Sequence, residues 1–118
     1  MPTDAPRFVY ITAASRDEAL MIGRTLVAER LAASANVLPG ARSVYWWQGR
    51  IEEAEEAVLV AKTRASLALR LIDRVKALHS YACPGIVTLP ILEGNPDYLD
   101  WLARETNAST ETPSGETP

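Results

Sequence analysis

Apolar residues recur along this chain at two different spacings, every second position in some stretches and every third or fourth in others. Arg7-Phe8-Val9-Tyr10-Ile11-Thr12-Ala13-Ala14 is rich in β-branched and aromatic residues and predicts a first strand. Ser15-Arg16-Asp17-Glu18 has the form of a capping box, and Ala19, Ile22, Leu26, Val27 and Leu31 continue it as an apolar helical stripe to about Ala33. Ala35 to Gln48 reads as extended, with Pro39-Gly40 marking a bulge, bend or edge position because proline cannot donate to a ladder. Gln48-Gly49-Arg50 is a hairpin turn candidate, glycine supplying the positive φ that tight hairpins need. The return strand starts at Ile51, crosses the acidic stretch Glu52-Glu53-Ala54-Glu55-Glu56 and becomes a buried run from Ala57 to Ala61. Ser66 is placed to cap a second helix whose Leu67, Leu71, Val75 and Leu78 share one face, ending near His79-Ser80. Pro84-Gly85 breaks the chain, and Ile86-Val87-Thr88-Leu89-Pro90-Ile91 predicts a fourth strand. Asn95-Pro96-Asp97 then starts a short helix with an N-cap, a proline at its first position and an acid favourable to the dipole; Tyr98, Leu99, Trp101 and Leu102 give it an apolar side.

The order β-α-β-β-α-β with an added C-terminal helix predicts an α+β fold, a ferredoxin-like βαββαβ sandwich. Residues 1–6 read as a flexible lead-in, 7–105 as the domain, and 106–118, dominated by Ser, Thr, Glu, Pro and Gly, as a disordered tail. Both main helices of such a fold cover one sheet face and leave the other bare. Trp46 and Trp47 speak to that bareness. Neighbouring strand residues point to opposite faces, so Trp46 lies with Val44 and Trp47 with Tyr45. A buried tryptophan removes about 150–250 Å² from water, worth about 4–6 kcal/mol at about 25 cal/mol per Å². Tyr45, Trp46 and Trp47 are therefore expected in an interface with further copies of the chain.

Composition narrows the function classes. At 118 residues, 47% hydrophobic and 23% charged, the chain suits one soluble domain. A net charge of -3 with scattered Lys and Arg gives no reason to expect a nucleic-acid partner. No apolar run approaches the roughly 20 residues that span a bilayer, and the N-terminus lacks a signal-peptide pattern. The single cysteine, Cys83, excludes an internal disulfide framework and a Cys-rich zinc site. Cytoplasmic location is the resulting expectation.

Six segments, in order and register, resemble the CutA divalent-cation tolerance family. They are Ala28-Glu29-Arg30-Leu31-Ala32-Ala33, Asn36-Val37-Leu38-Pro39-Gly40, Ser43-Val44-Tyr45-Trp46-Trp47-Gln48-Gly49, Lys62-Thr63, Leu78-His79-Ser80-Tyr81 and Gly94-Asn95-Pro96-Asp97-Tyr98-Leu99-Asp100-Trp101. The resemblance runs from about Phe8 to Glu105. It implies a homotrimer of ferredoxin-like subunits, built largely through long β2–β3 hairpins, similar in architecture to PII-like signalling proteins and with clefts between subunits. It also implies a part in tolerance of copper and other divalent cations, with no established reaction; the chain is accordingly expected not to be an enzyme. The family commonly reads His-Pro-Tyr-Glu-x-Pro-Glu where this chain has His79-Ser80-Tyr81-Ala82-Cys83-Pro84-Gly85. Ala82 and Gly85 replace both glutamates, and Ser34 stands where the family often has cysteine, which weakens the expectation of a copper site.

His79 and Cys83, four residues apart, are the remaining candidate metal ligands. Their alternative is a helix-terminal histidine beside a buried structural thiol, and a residue before proline is biased away from the helical geometry that would bring the two together. Lys62 interrupts an apolar strand, where a charge is costly unless paired or facing a cleft. It lines an intersubunit pocket for a small anion or is neutralised by an internal Asp or Glu. Tyr81 and Tyr98 are the other candidates to line that cleft. The glutamates near the hairpin tip read as edge-protecting charge. A sensor of a small anionic metabolite, with metal binding incidental, is the competing function.

Overall fold

The computed structural model describes residues 4–106. Its elements are β1 (Pro6–Ala13), α1 (Arg16–Ala28), β2 (Ser34–Trp47), β3 (Arg50–Arg64), a 3-10 turn (Ala65–Leu67), α2 (Ala68–Leu78), β4 (Ile86–Pro90) and α3 (Pro96–Glu105). The strands form one sheet in the order β2-β3-β1-β4, and every neighbouring pair is antiparallel. The described residues are thus α+β, with one four-stranded antiparallel sheet and three α-helices.

The register explains the core. Val37, Leu59, Ile11 and Ile86 form one row across all four strands, and Ala35, Ala61, Val9 and Thr88 form the next. These rows meet Ala19, Ile22 and Leu26 of α1 and Leu71 and Val75 of α2 in one apolar cluster. Gly23 lets α1 approach the sheet, since a Cβ there would lie 3.1 Å from Ala35 Cβ and 3.2 Å from Leu59 Cδ1.

The opposite face is also largely apolar. Its rows are Leu38–Val58–Thr12, Asn36–Val60–Tyr10–Val87 and Ser34–Lys62–Phe8–Leu89. α3 covers only one end of this face, through Tyr98 over Lys62 and Thr106 on Arg64. Leu38, Tyr10, Val87 and Leu89 stay exposed. Beyond Leu38 the sheet narrows to the β2–β3 hairpin alone, after the register shift at Leu38/Ala41 that Pro39-Gly40 foreshadows. The hairpin stretches the molecule to 48 × 30 × 23 Å, with a radius of gyration of 15.3 Å against about 13 Å for a globule of this many described residues. Its two-residue turn has positive φ at both Gln48 (51°) and Gly49 (79°), the type I′ geometry that matches strand twist. Near the tip Trp46 is 71%, Val44 62% and Ile51 61% exposed.

Three expectations need correction. α1 stops at Ala28, not near Ala33. Arg30 adopts φ 62°, and the amides of Arg30 and Leu31 bond back to Val27 O and Leu26 O, closing a Schellman motif with arginine where glycine is usual. Leu31, Ala32 and Ala33 are buried because the turn folds them under the sheet, which is why they mimic a continuing helical stripe. Ser66 does not cap α2, whose N-cap position is Leu67 with no side-chain bond. Instead the Ser66 amide and hydroxyl both donate to the Asp4 carboxylate, so part of the lead-in is tied down. Thr106, assigned to the tail, is buried, with its hydroxyl donating to Leu102 O at 2.8 Å; the rest of that segment, and residues 1–3, lie outside the described residues.

Candidate functional site

Two polar clusters sit at opposite ends of the sheet, and the expected site residues divide between them. The first gathers where α2 ends. The side chain of His79 has no exposure. Its Nε2 lies 2.7 Å from Thr12 O, and its Nδ1 accepts from the Tyr81 amide at 3.1 Å. A carbonyl only accepts and an amide only donates, so these partners fix the Nε2–H tautomer. Glu18 takes the Ala14 amide on one oxygen (2.9 Å) and the Ser80 amide on the other (2.7 Å), joining the start of α1 to the end of α2. Burial raises the Glu18 carboxyl, but these hydrogen bonds outweigh it and hold the group below its ordinary range. Tyr81 packs on His79 at 4.7 Å between ring centroids, and its hydroxyl donates to Glu56 Oε2 at 2.6 Å. Burial first, and then the Glu56 carboxylate, push the phenol well above its usual value.

These contacts bear on the two candidate metal ligands within one chain. Both nitrogens of His79 are committed to backbone groups, so a metal could take either only by displacing a bond. Cys83 is exposed and free. Among the described residues no three His, Cys, Asp or Glu side chains converge on a common point. Within the subunit, therefore, His79 and Cys83 do not form a ligand set, because the histidine serves as a loop clamp.

The second cluster lies under α3. Lys62 is half-buried, with Nζ 5.7 Å from the centroid of the Tyr98 ring, and Trp101 follows at 5.5 Å from Tyr98. Lys62 makes no ion pair among the described residues, so the expected alternative of an internal Asp or Glu partner is not what neutralises it. A cation–π contact takes its place. Ser34 sits directly across the ladder from Lys62, and Arg64 lies two residues further along β3 on the same face. Arg64 reaches Asp4 at 3.5 Å and Thr106 O, yet its Nε, like Ser34 Oγ, is buried without a hydrogen-bond partner among the described residues.

Lys62 and Tyr98 thus come together. Tyr81 does not join them within one chain: it bonds to Glu56, six residues from Lys62 along β3, about 20 Å at about 3.3 Å per residue. Tyr45, Trp46 and Trp47 stand exposed on the hairpin, away from Lys62 and Tyr98. Sequence reasoning missed Ser34, Glu56 and Arg64 as participants. Glu56 carried a signal, since it adjoins the apolar run from Ala57, and Ser34 carried one only as the position where the family often has cysteine; Arg64 carried none. Elsewhere an apolar groove of about 360 Å³ lies between α1 and β2, lined by Leu20, Gly23, Val27, Ala35 and Val37 with Arg24 as its only charge.

Comparison with known proteins identifies the family. The family model described as CutA1 divalent ion tolerance protein matches residues 7–105, nearly all of the described chain. The chain belongs to the CutA1 family. The divalent-cation tolerance protein CutA of Thermus thermophilus is 50% identical over 98 residues, which span 83% of this chain and 95% of that protein. The CutA of Archaeoglobus fulgidus is 43% identical over 95 residues, covering 80% of this chain and 92% of its own length. Solved CutA1 structures agree in fold. The Thermus thermophilus protein superposes with a TM-score of 0.84 at 48% identity, over 86% of this chain and 99% of that one. Rice CutA1 superposes at 0.87 with 39% identity, over 91% and 98%. The resemblance that six short segments suggested therefore extends through the whole CutA1 domain.

Proposed function

We propose that this CutA1 protein works as a homotrimer of ferredoxin-like subunits in divalent-cation tolerance, holding a metal ion or small ligand in clefts between subunits, with no catalytic step. The observation that carries this reading is the uncovered apolar surface. Leu38, Tyr10, Val87 and Leu89 are exposed on the open sheet face, and Val44, Trp46 and Ile51 are exposed on the projecting hairpin, where the register puts them on its other face. A monomer exposing two such apolar surfaces is unusual, and burial between copies removes them from water. The strand order β2-β3-β1-β4, with α1 and α2 on one face, supports the ferredoxin-like assignment. A metal held in such a cleft draws donors from more than one subunit, because the described residues of one subunit bring no three donors together.

Two measurements test the proposal. Replacing Val44 and Ile51 together by Asp is expected to reduce the mass in light scattering to that of a monomer, and an unchanged mass counts against the hairpin's role. Copper titration of the wild type, His79→Ala and Cys83→Ser locates any metal. Loss of affinity in both variants assigns the ion to that pair as donors contributed by different subunits; unchanged affinity in both removes the pair from consideration.

A further inference from the structure

From the second cluster we infer that Lys62, Arg64 and Ser34 form a recognition site for a carboxylate group, with Tyr98 as its lid. This deepens the proposed function by naming the chemistry of the small ligand, and it rests on the ligand-binding half of that reading alone, since all four residues belong to one chain.

The argument is an accounting of donors. On the sheet face beneath α3, Ser34 and Lys62 are directly opposed across the β2–β3 ladder, and Arg64 is the diagonal neighbour. Opposed residues have Cβ atoms about 5 Å apart and diagonal ones about 7–8 Å, so one small group can reach all three side chains. Each offers hydrogens. Arg64 Nε–H can only donate, Lys62 Nζ can only donate, and the Ser34 hydroxyl donates or accepts. Arg64 Nε and Ser34 Oγ are buried and unpartnered, and Lys62 makes no ion pair among the described residues. Buried polar groups normally find partners, and an unsatisfied one costs free energy. Asp4 pairs with a terminal nitrogen of Arg64 and accepts from the amide and hydroxyl of Ser66 in the 3-10 turn, so it leaves Nε unserved. The missing element is an acceptor carrying negative charge.

A carboxylate suits these donors. It is flat, presents two acceptor oxygens, and forms charge-assisted bonds with Lys and Arg together. Tyr98, over Lys62, and Trp101 beside it offer apolar cover to whatever carbon skeleton the carboxylate carries. The carboxylate can belong to a free small molecule or to a glutamate or aspartate side chain of a second copy of this chain.

Succinate is a suitable probe, titrated at constant ionic strength against chloride and followed by calorimetry and by intrinsic tryptophan fluorescence, to which Trp46 and Trp47 contribute beside Trp101. Saturable binding by the wild type is expected, weakened at least about tenfold in Lys62→Met, retained in Lys62→Arg and reduced in Ser34→Ala. That pattern supports a site for a free carboxylate. If succinate does not bind but Lys62→Met and Ser34→Ala each weaken subunit association at least about tenfold while circular dichroism is unchanged, the carboxylate comes from a second copy. No succinate binding together with unaltered association in both variants overturns the inference and leaves the cluster to solvent. Should Lys62→Met fail to fold, Ser34→Ala and Lys62→Arg decide alone by the same readouts. A trimer blind to succinate, with association indifferent to these variants, sinks only this inference, whereas a monomer that binds succinate sinks only the proposed assembly.

Discussion

Single side chains here do long-range work that local pattern does not announce. The capping box at Ser15 was visible because its partners are three residues apart, and Ser15 Oγ does accept from the Glu18 amide at 3.1 Å. What the pattern hid is that the same glutamate also holds the Ser80 amide, 62 residues away. This second bond makes Glu18 a sensor of acid. Its folded-state carboxyl lies below the ordinary value of 4.5, so its contribution to stability is complete above that value and is lost as pH falls through the lowered one. Acid unfolding of Glu18→Gln, followed by circular dichroism, is expected to show a shallower loss of stability below pH 4.5 than the wild type; identical acid limbs contradict the assignment. Tyr81 is the companion case. Removing its hydroxyl leaves the buried Glu56 carboxylate without that donor, so Tyr81→Phe is expected to cost about 1.5–3 kcal/mol in urea unfolding. A change under about 0.5 kcal/mol would mean that water replaces the phenol freely.

Elements were far more legible than their ends. Period-two and helical spacing located every strand and helix, and Asn95-Pro96-Asp97 located the start of α3, where Asn95 Oδ1 accepts from the Asp97 amide at 3.1 Å. The end of α1 was misplaced because Leu31, Ala32 and Ala33 are apolar for a different reason, namely burial after a left-handed turn at Arg30. Since glycine is the usual residue in that conformation, an arginine there gives no warning in sequence. Arg30 also pairs with Glu105 of α3 at 2.7 Å, an exposed contact of small energetic weight. Gly23 shows the reverse situation, a helix residue whose absent side chain sets the α1–sheet distance. Gly23→Val gains a little helix propensity but drives methyl groups into Ala35 and Leu59. Overpacking of this kind is expected to win, destabilising by about 1–3 kcal/mol in chemical denaturation.

For the whole molecule, the sequence foretold a surface that one subunit does not bury, and the structure gives that surface its extent. On the open sheet face it runs from Leu89 and Val87 across Tyr10 to Leu38, while Val44, Trp46 and Ile51 are exposed on the other face of the hairpin. The candidate site was only half legible. Lys62 stood out as a charge in an apolar strand, and Tyr98 as its neighbour could be suspected. Ser34 and Arg64 could not, because their convergence depends on the β2–β3 register and on α3 folding back over Arg64. His79 drew attention as a metal ligand through its residue type, while its fold assigns it to holding Thr12 and Tyr81. Sedimentation equilibrium of the wild type and of Trp46→Glu, at micromolar concentration, tests the central claim of assembly through this surface. The account predicts a wild-type species of three times the 12.9 kDa subunit mass and a lighter, dissociating Trp46→Glu variant; a wild-type chain that sediments as a stable monomer contradicts it.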